Sequence, residues 1–364
     1  MLSLPLVAHG QDLGALVAER TRDSFFTRDD AESLGLFATQ AALAFDHARL
    51  FEQTVEKEGL RREMDIARGV QQRLLPATLP TLAGLSIAAT SVPALDVGGD
   101  YYDVVRAGEN RLAVVVADVS GKGTSAAFYM AEMQGAVRAL APDARDPVDF
   151  LCDANRVLAS VLDAGTFVTA LFGLLDVQTP RGSGESGMGN GKGTGAGEDA
   201  APVVTFTSAR AGHCPLAVVP ADPALPVRMV RSAGLGLGLD RRGAAFARLT
   251  AAETTTLADG DALVLVTDGV IESRCPAGDE YGYDRLAAAL TAARASGATA
   301  DAPALRDALL ADLAAFLDGE PYADDMTLLT MCWHGTSTTT DATTDAAAAP
   351  ATTAAAEGVL VAAP

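Results

Sequence analysis

Four apolar runs of strand length in this chain end in, or adjoin, an aspartate flanked by glycine or a second aspartate, and this recurrence constrains the fold more than any other feature. They are VGGDYYD at Asp100 and Asp103, VVVADVSGKG at Asp118, VLVTDGV at Asp268, and YADDMTLL at Asp324 and Asp325. A carboxylate at a strand terminus is aimed from a rigid scaffold. Several of them converging make a negative pocket that needs protons or cations to exist away from water. Carboxylate, carbonyl and water oxygens suit Mg2+ and Mn2+, and no histidine or cysteine stands in these motifs to favour zinc. Taken singly, each motif has a plainer explanation: Asp268-Gly269 as a turn, Gly98-Gly99 as a bulge, Asp324-Asp325 as a capped loop. Their repetition at matching strand ends argues for one site.

Beyond Leu85 the chain alternates β runs and turns with helical blocks: strands, a helix pair near Ala126 to Leu140 and Val148 to Leu162, more strands, a second helix pair, and the last strand MTLLTMCW. Hairpin-connected strands with helices in separate blocks predict an α+β fold with sheets between helical layers rather than a parallel βαβ wind. Before this region, LSLPLVAHG and LGALVAER read as two short strands. A helix follows, announced by Thr27 with Asp29 and Asp30 in its first turn. Helical spacing continues from Phe45 through Leu60, Met64, Ala67, Gln71 and Leu74 until Pro76 stops it. This connecting helix, assigned to 54–76, either forms a parallel two-helix seam or lies on its own domain, with Gly59 and Gly69 weakening a continuous coil. The Gly-rich stretch 179–202 reads as a floppy hairpin loop and the Ala/Thr tail 335–364 as disordered.

Charge and cysteine usage narrow the partners. With 47 acidic against 27 basic residues the net charge is −20, which repels a nucleic-acid backbone and any other phosphorylated partner unless cations are supplied locally. Cys152, Cys214, Cys275 and Cys332 are scattered singly and signal neither a zinc site nor a disulfide framework. No apolar run reaches the roughly 20 residues a bilayer needs, and the first residues lack an export leader, so a cytoplasmic protein with no membrane partner is expected.

The strings GGDYYD, ADVSGKGTSAAFYM, FVTALFGLLD, AGHCPL, GLGLGL, DGDALVLVTDGVIES and DDMTLL, in that order and preceded by ARGVQQRLLP, resemble the bacterial stage II sporulation E-like phosphatases of the PPM (PP2C-type) class. The resemblance covers about residues 65–333, and residues 1–53 resemble the closing third of a GAF sensor domain. It implies a phosphatase domain over 77–334, folded as an α-β-β-α four-layer sandwich with two Mn2+ or Mg2+ ions in a cleft between the sheets. Asp118 would bridge both ions, joined by the backbone carbonyl of Val119. Asp100 would bind one ion, and Asp268 and Asp324 the other. Asp325 completes the implied set but stands where many relatives of the wider class carry Asn, so a supporting role is equally open to it, as it is to Asp103.

The implied reaction is hydrolysis of a phosphoserine or phosphothreonine by a water that the two metals activate, without a covalent phosphoenzyme. The implied substrate is a phosphorylated STAS-type anti-sigma-factor antagonist, and the connecting helix suggests a homodimer. The competing reading is a catalytically inactive pseudophosphatase that serves as a binding scaffold. GGDYYD is also similar to the GGDEF loop of diguanylate cyclases, but it lacks the Glu-Phe, and TDG and DDMT speak against that class. Lys122 in SGKGTS does not fit a P-loop, because the first glycine of that motif is absent. His213 in AGHCPL reads as a hydrogen-bonded structural residue before a catalyst. No arginine motif matches the phosphate-binding arginine of eukaryotic relatives.

Overall fold

A computed structural model of the chain describes residues 1–19, 25–178 and 202–335. The expected loop at 179–202 and tail at 335–364 lie outside the described residues except for Pro202 and Gly335. The chain opens with an antiparallel hairpin, β1 (Leu2–Ala8) and β2 (Gln11–Ala18), which turns at His9 and Gly10, both at positive φ. Helix α1 (Arg28–Gln72) follows and runs 45 residues without a break across the 53/54 boundary and through Gly59 and Gly69. Its start is fixed by a capping box, in which the Thr27 side chain accepts from the Asp30 N–H and the Asp30 carboxylate accepts from the Thr27 N–H. Ala38, Ala42 and Asp46 are its buried residues, and Asp46 meets His9 of the hairpin at 3.1 Å.

The remainder is built from β3 (Leu85–Val92), β4 (Tyr101–Arg106), β5 (Arg111–Val119), α2 (Thr124–Leu140), α3 (Pro147–Val161), β6 (Val168–Gln178), β7 (Val203–Ala211), β8 (Leu216–Val219) and β9 (Arg228–Val230). Then come α4 (Ala244–Leu249), β10 (Ala252–Leu257), β11 (Ala262–Val266), α5 (Asp268–Ile271), α6 (Gly282–Ala295), α7 (Ala302–Leu317) and β12 (Met326–Trp333). The strands form two five-stranded antiparallel sheets, ordered β10-β7-β6-β5-β4 and β3-β12-β11-β8-β9. β9, β10 and the short α4 are elements that apolar periodicity did not announce.

Alternation along the strands explains the layering, because successive side chains point to opposite faces. In β5, Leu112, Val114 and Val116 join a core that also holds Leu263 and Leu265 of β11 and Leu329 and Met331 of β12, so this core lies between the sheets. Ala113, Val115, Ala117 and Val119 belong instead to the core formed with Met130, Met133 and Val137 of α2 and Phe150, Leu151 and Leu158 of α3. On the far side, Val264 and Val266 of β11 and Leu328 of β12 pack with Leu286 and Leu290 of α6 and Leu305, Leu309 and Leu313 of α7. Both sheets are thus buried on both faces, which is why their central strands read as continuous apolar runs. The expected α-β-β-α order is the observed one. No helix among the described residues is long and apolar enough to cross a membrane.

Candidate metal centre between the sheets

The alternation that fills the inter-sheet core also places the acids at its open end. The row Leu112, Val114, Val116 continues to Asp118, next to the last residue of β5. The row Val104, Tyr102 on β4 runs back to Asp100, just before that strand. From the facing sheet, Leu263 and Leu265 lead to Thr267, and Leu329 leads back through Thr327 to Asp325. The Thr267 hydroxyl donates to Oδ2 of Asp100 at 2.8 Å and so ties the two sheets together at the site. Asp268 follows as the first residue of α5.

The electrostatics of these groups are coupled across the two sheets. Burial, then the charges of Asp268, Asp324, Asp325 and Glu272, push the Asp118 carboxyl up to about 7. Asp100, 5% exposed, is raised well above the ordinary carboxylate range by burial and then by Asp118. Asp268 is raised by burial, Glu272 and Asp324. Asp100, Asp118, Asp268 and Asp324 therefore stand near enough to one another for the charge of one to act on the next. Glu272, the residue that caps α5 four positions after Asp268, acts on Asp118 and Asp268 and is a neighbour that sequence reasoning missed, although the i, i+4 spacing signals it.

Whether the pocket suits a hard cation is tested by Asp100: its Oδ1 is buried and has no hydrogen-bond partner. A buried carboxylate oxygen without a donor is costly, and an oxygen-ligated divalent ion satisfies it while relieving the repulsion among its neighbours. The donor set is all oxygen. The Val119 carbonyl lies beside it, close enough to Gly99 that a Cβ there would stand 2.9 Å from it. Among the described residues, no three His, Cys, Asp or Glu side chains are already gathered closely enough to hold an ion. The reason is visible in two of the acids, which are engaged elsewhere. Oδ2 of Asp324 faces the Lys122 ammonium at 2.9 Å, and Lys122 also donates to the Ala323 carbonyl at 2.7 Å.

Asp325 changes role. Its Oδ1 accepts the Ala94 N–H at 2.8 Å and its Oδ2 the Gly99 N–H at 2.5 Å, so this carboxylate clasps the Gly98–Asp100 loop. Gly98 and Gly269 are needed for this approach rather than for a bulge or a turn. A Cβ on Gly98 would sit 2.5 Å from Asp325 Oδ2, and one on Gly269 2.0 Å from the Asp325 carbonyl oxygen. The same loop is held from the other side by Gln71, whose amide donates to the Gly98 carbonyl at 2.5 Å and accepts the Gly98 N–H at 3.1 Å.

Asp103 lies outside the site. It is odd-numbered on β4, hence on the helix-facing side, fully buried against Arg138 of α2 at 2.8 Å and the Tyr101 hydroxyl at 2.8 Å. His213 is buried and hydrogen-bonded through one ring nitrogen. Its Nδ1 meets the Thr169 hydroxyl at 2.9 Å, and Thr169 is the β6 partner of Asp118. Burial, then Arg210, holds the imidazole down at about 3, so it stays neutral. Arg210 itself is spent on the carbonyls of Ser232 and His213.

Solved structures share the two-sheet fold. The SiaA-PP2C domain of Pseudomonas aeruginosa superposes with a TM-score of 0.59 at 21% identity, covering 78% of this chain and 99% of that one. The RsbU and RsbW domains of Rv1364c from Mycobacterium tuberculosis superpose with a TM-score of 0.51 at 28% identity, covering 72% of this chain and 63% of theirs. The fold is therefore of the PP2C type. The chain belongs to the Stage II sporulation protein E (SpoIIE) family, whose pattern it matches over residues 108–183 and 203–334. Asp100 precedes the matched region.

Two curated relatives are Protein IcfG of Synechocystis sp. (strain ATCC 27184 / PCC 6803 / Kazusa), 27% identical over 306 residues, and Phosphoserine phosphatase RsbU of Bacillus subtilis (strain 168), 33% identical over 138 residues. These alignments take in 75% and 37% of this chain. The chain spans only 42% and 41% of the length of these relatives.

Proposed function

We propose that this protein is a metal-dependent serine/threonine phosphatase that hydrolyses a phosphoserine or phosphothreonine on a regulatory protein. The observation that carries the reading is the gathering of Asp100, Asp118 and Asp268 in one inter-sheet cleft, with a buried Asp100 oxygen lacking any hydrogen-bond partner. Asp100, Asp118, Asp268, Asp324 and the Val119 carbonyl would hold two Mn2+ or Mg2+ ions. Bound there, such ions supply an activated water and positive charge for the phosphoryl oxygens.

The chain's own residues do the rest. Thr267 orients Asp100, Asp325 and Gln71 fix the loop that carries it, and the antiparallel pairing of β5 with β6 holds Asp118 rigid. The name of the relative RsbU supports phosphoserine as the target, and in this reading the substrate is a phosphorylated STAS-type anti-sigma-factor antagonist. α1 with its hairpin is the sensor remnant and relay in this reading, and a pairing of two copies along α1 is part of it.

The test is hydrolysis of p-nitrophenyl phosphate and of a phosphorylated STAS protein with added Mn2+. Turnover that disappears in Asp118→Ala supports the assignment. Mn2+ binding without turnover on either substrate would overturn it in favour of the inactive scaffold.

A further inference from the structure

The proposed reaction needs a cation for the phosphoryl group, and several arginines of the domain are already committed elsewhere. Arg210 holds two backbone carbonyls, Arg138 neutralises Asp103, and Arg274 is paired with Glu280. Lys122 differs from them. It sits at the apex of the loop after β5, between Gly121 and Gly123, both at positive φ with open space beside them. From there it reaches across to the opposite sheet and pairs with Asp324, an acid the phosphatase reading assigns to an ion. Its side chain is 52% exposed, so the ammonium stands at the mouth of the cleft rather than in its floor.

A divalent ion cannot occupy the same side of Asp324 as an ammonium 2.9 Å away, because the two cations repel and compete for one oxygen. We propose that Lys122 is a placeholder for the ion: it neutralises Asp324 in the ion-free cleft, yields that carboxylate when the ion arrives, and then binds the phosphoryl oxygens of the substrate. An ammonium on a flexible stem is a point charge suited to phosphate from several directions. In a chain of net charge −20 it supplies the local positive charge that an incoming phosphoprotein requires. The proposal rests on the phosphatase reading and makes a separate claim about ion affinity.

The experiment titrates Mn2+ calorimetrically into the ion-free full chain, wild type and Lys122→Met, and then inorganic phosphate into the Mn2+-loaded proteins. Removing an exposed competitor should tighten Mn2+ binding by about two- to five-fold. Losing a charged hydrogen-bond donor should weaken phosphate binding by about ten-fold. With p-nitrophenyl phosphate, KM should rise more than kcat falls, and Lys122→Arg should restore phosphate binding. Weaker Mn2+ binding in Lys122→Met would mean that Lys122 holds Asp324 in its ligand pose, and unchanged phosphate affinity would remove it from the substrate site. Either result overturns this proposal alone. Failure of the wild-type chain to bind Mn2+ overturns the phosphatase reading and this proposal with it.

Discussion

Asp118 is held against its own ionisation by burial and by the acids facing it, and the sign of the consequence can be worked out. Its carboxyl sits at about 7 in the folded chain against an ordinary 3.8, so the folded state binds this proton more tightly than the unfolded state. The contribution to stability is fully present below the unfolded value and is lost as pH rises through the folded one. Asp100 and Asp268 are shifted in the same direction. The ion-free protein should therefore lose stability between about pH 4 and 7 at this site, and Asp118→Asn should flatten that loss by removing the ionisation. Urea unfolding of both proteins at pH 5 and 7.5, in the presence of a chelator, measures the difference. Equal pH dependence in the two would show that the acids do not share a pocket.

At the scale of elements, the last turns of α1 and the lead-in to β12 grip the Asp96–Asp100 loop from opposite sides. Gln71 exchanges two hydrogen bonds with Gly98, and Arg68 donates to the Asp96 carbonyl and carboxylate at 2.8 and 2.7 Å. Gln71→Ala removes two bonds of about 0.5–1.5 kcal/mol each, and with them part of the preorganisation of Asp100. Mn2+ affinity should fall by roughly ten-fold in a calorimetric titration, and an unchanged value would show that Asp325 holds the loop unaided. On the other face of β4, Arg138→Met strips the charged partner from the fully buried Asp103. The expected cost is about 3 kcal/mol, at the low end because the Tyr101 hydroxyl and Val104 N–H remain and Asp103 can take up a proton. Chemical denaturation reads it, and Mn2+ affinity should stay as in the wild type. These contacts also show what was legible in the sequence. Sheets between helical layers and aspartates at strand ends were legible as local patterns of apolar runs, whereas the four-layer order and the choice among those aspartates came from the family resemblance. Asp100 and Asp103 look alike in GGDYYD, yet an even and an odd position on one strand send one to the cleft and the other to α2. Lys122, Gln71 and Arg138 were not legible as partners, since their contacts join segments whose meeting depends on sheet order and helix placement. For Asp325 the sequence left a ligand and a supporting role open for the same reason, because its amide partners lie 231 and 226 residues away.

Across the whole molecule, the acids divide between the two sheets: Asp100 and Asp118 belong to the β4/β5 side, and Asp268 and Asp324 to the β11/β12 side. On the proposed reading, ions held by both sets would cross-link the sheets and would bind only when the sandwich is closed. Linkage then requires that they stabilise the native state, by about 2.7 kcal/mol for one site at a free concentration 100 times its Kd. For a domain of this size that corresponds to a rise in Tm of about 5–10 °C. The increment should depend on free Mn2+ and be reversed by EDTA. It should be larger at pH 7.5 than at pH 5, where Asp118 retains its proton. Scanning calorimetry at several Mn2+ concentrations provides the measurement. A Tm indifferent to Mn2+ and to EDTA would mean that the two halves of the acidic cluster never share an ion.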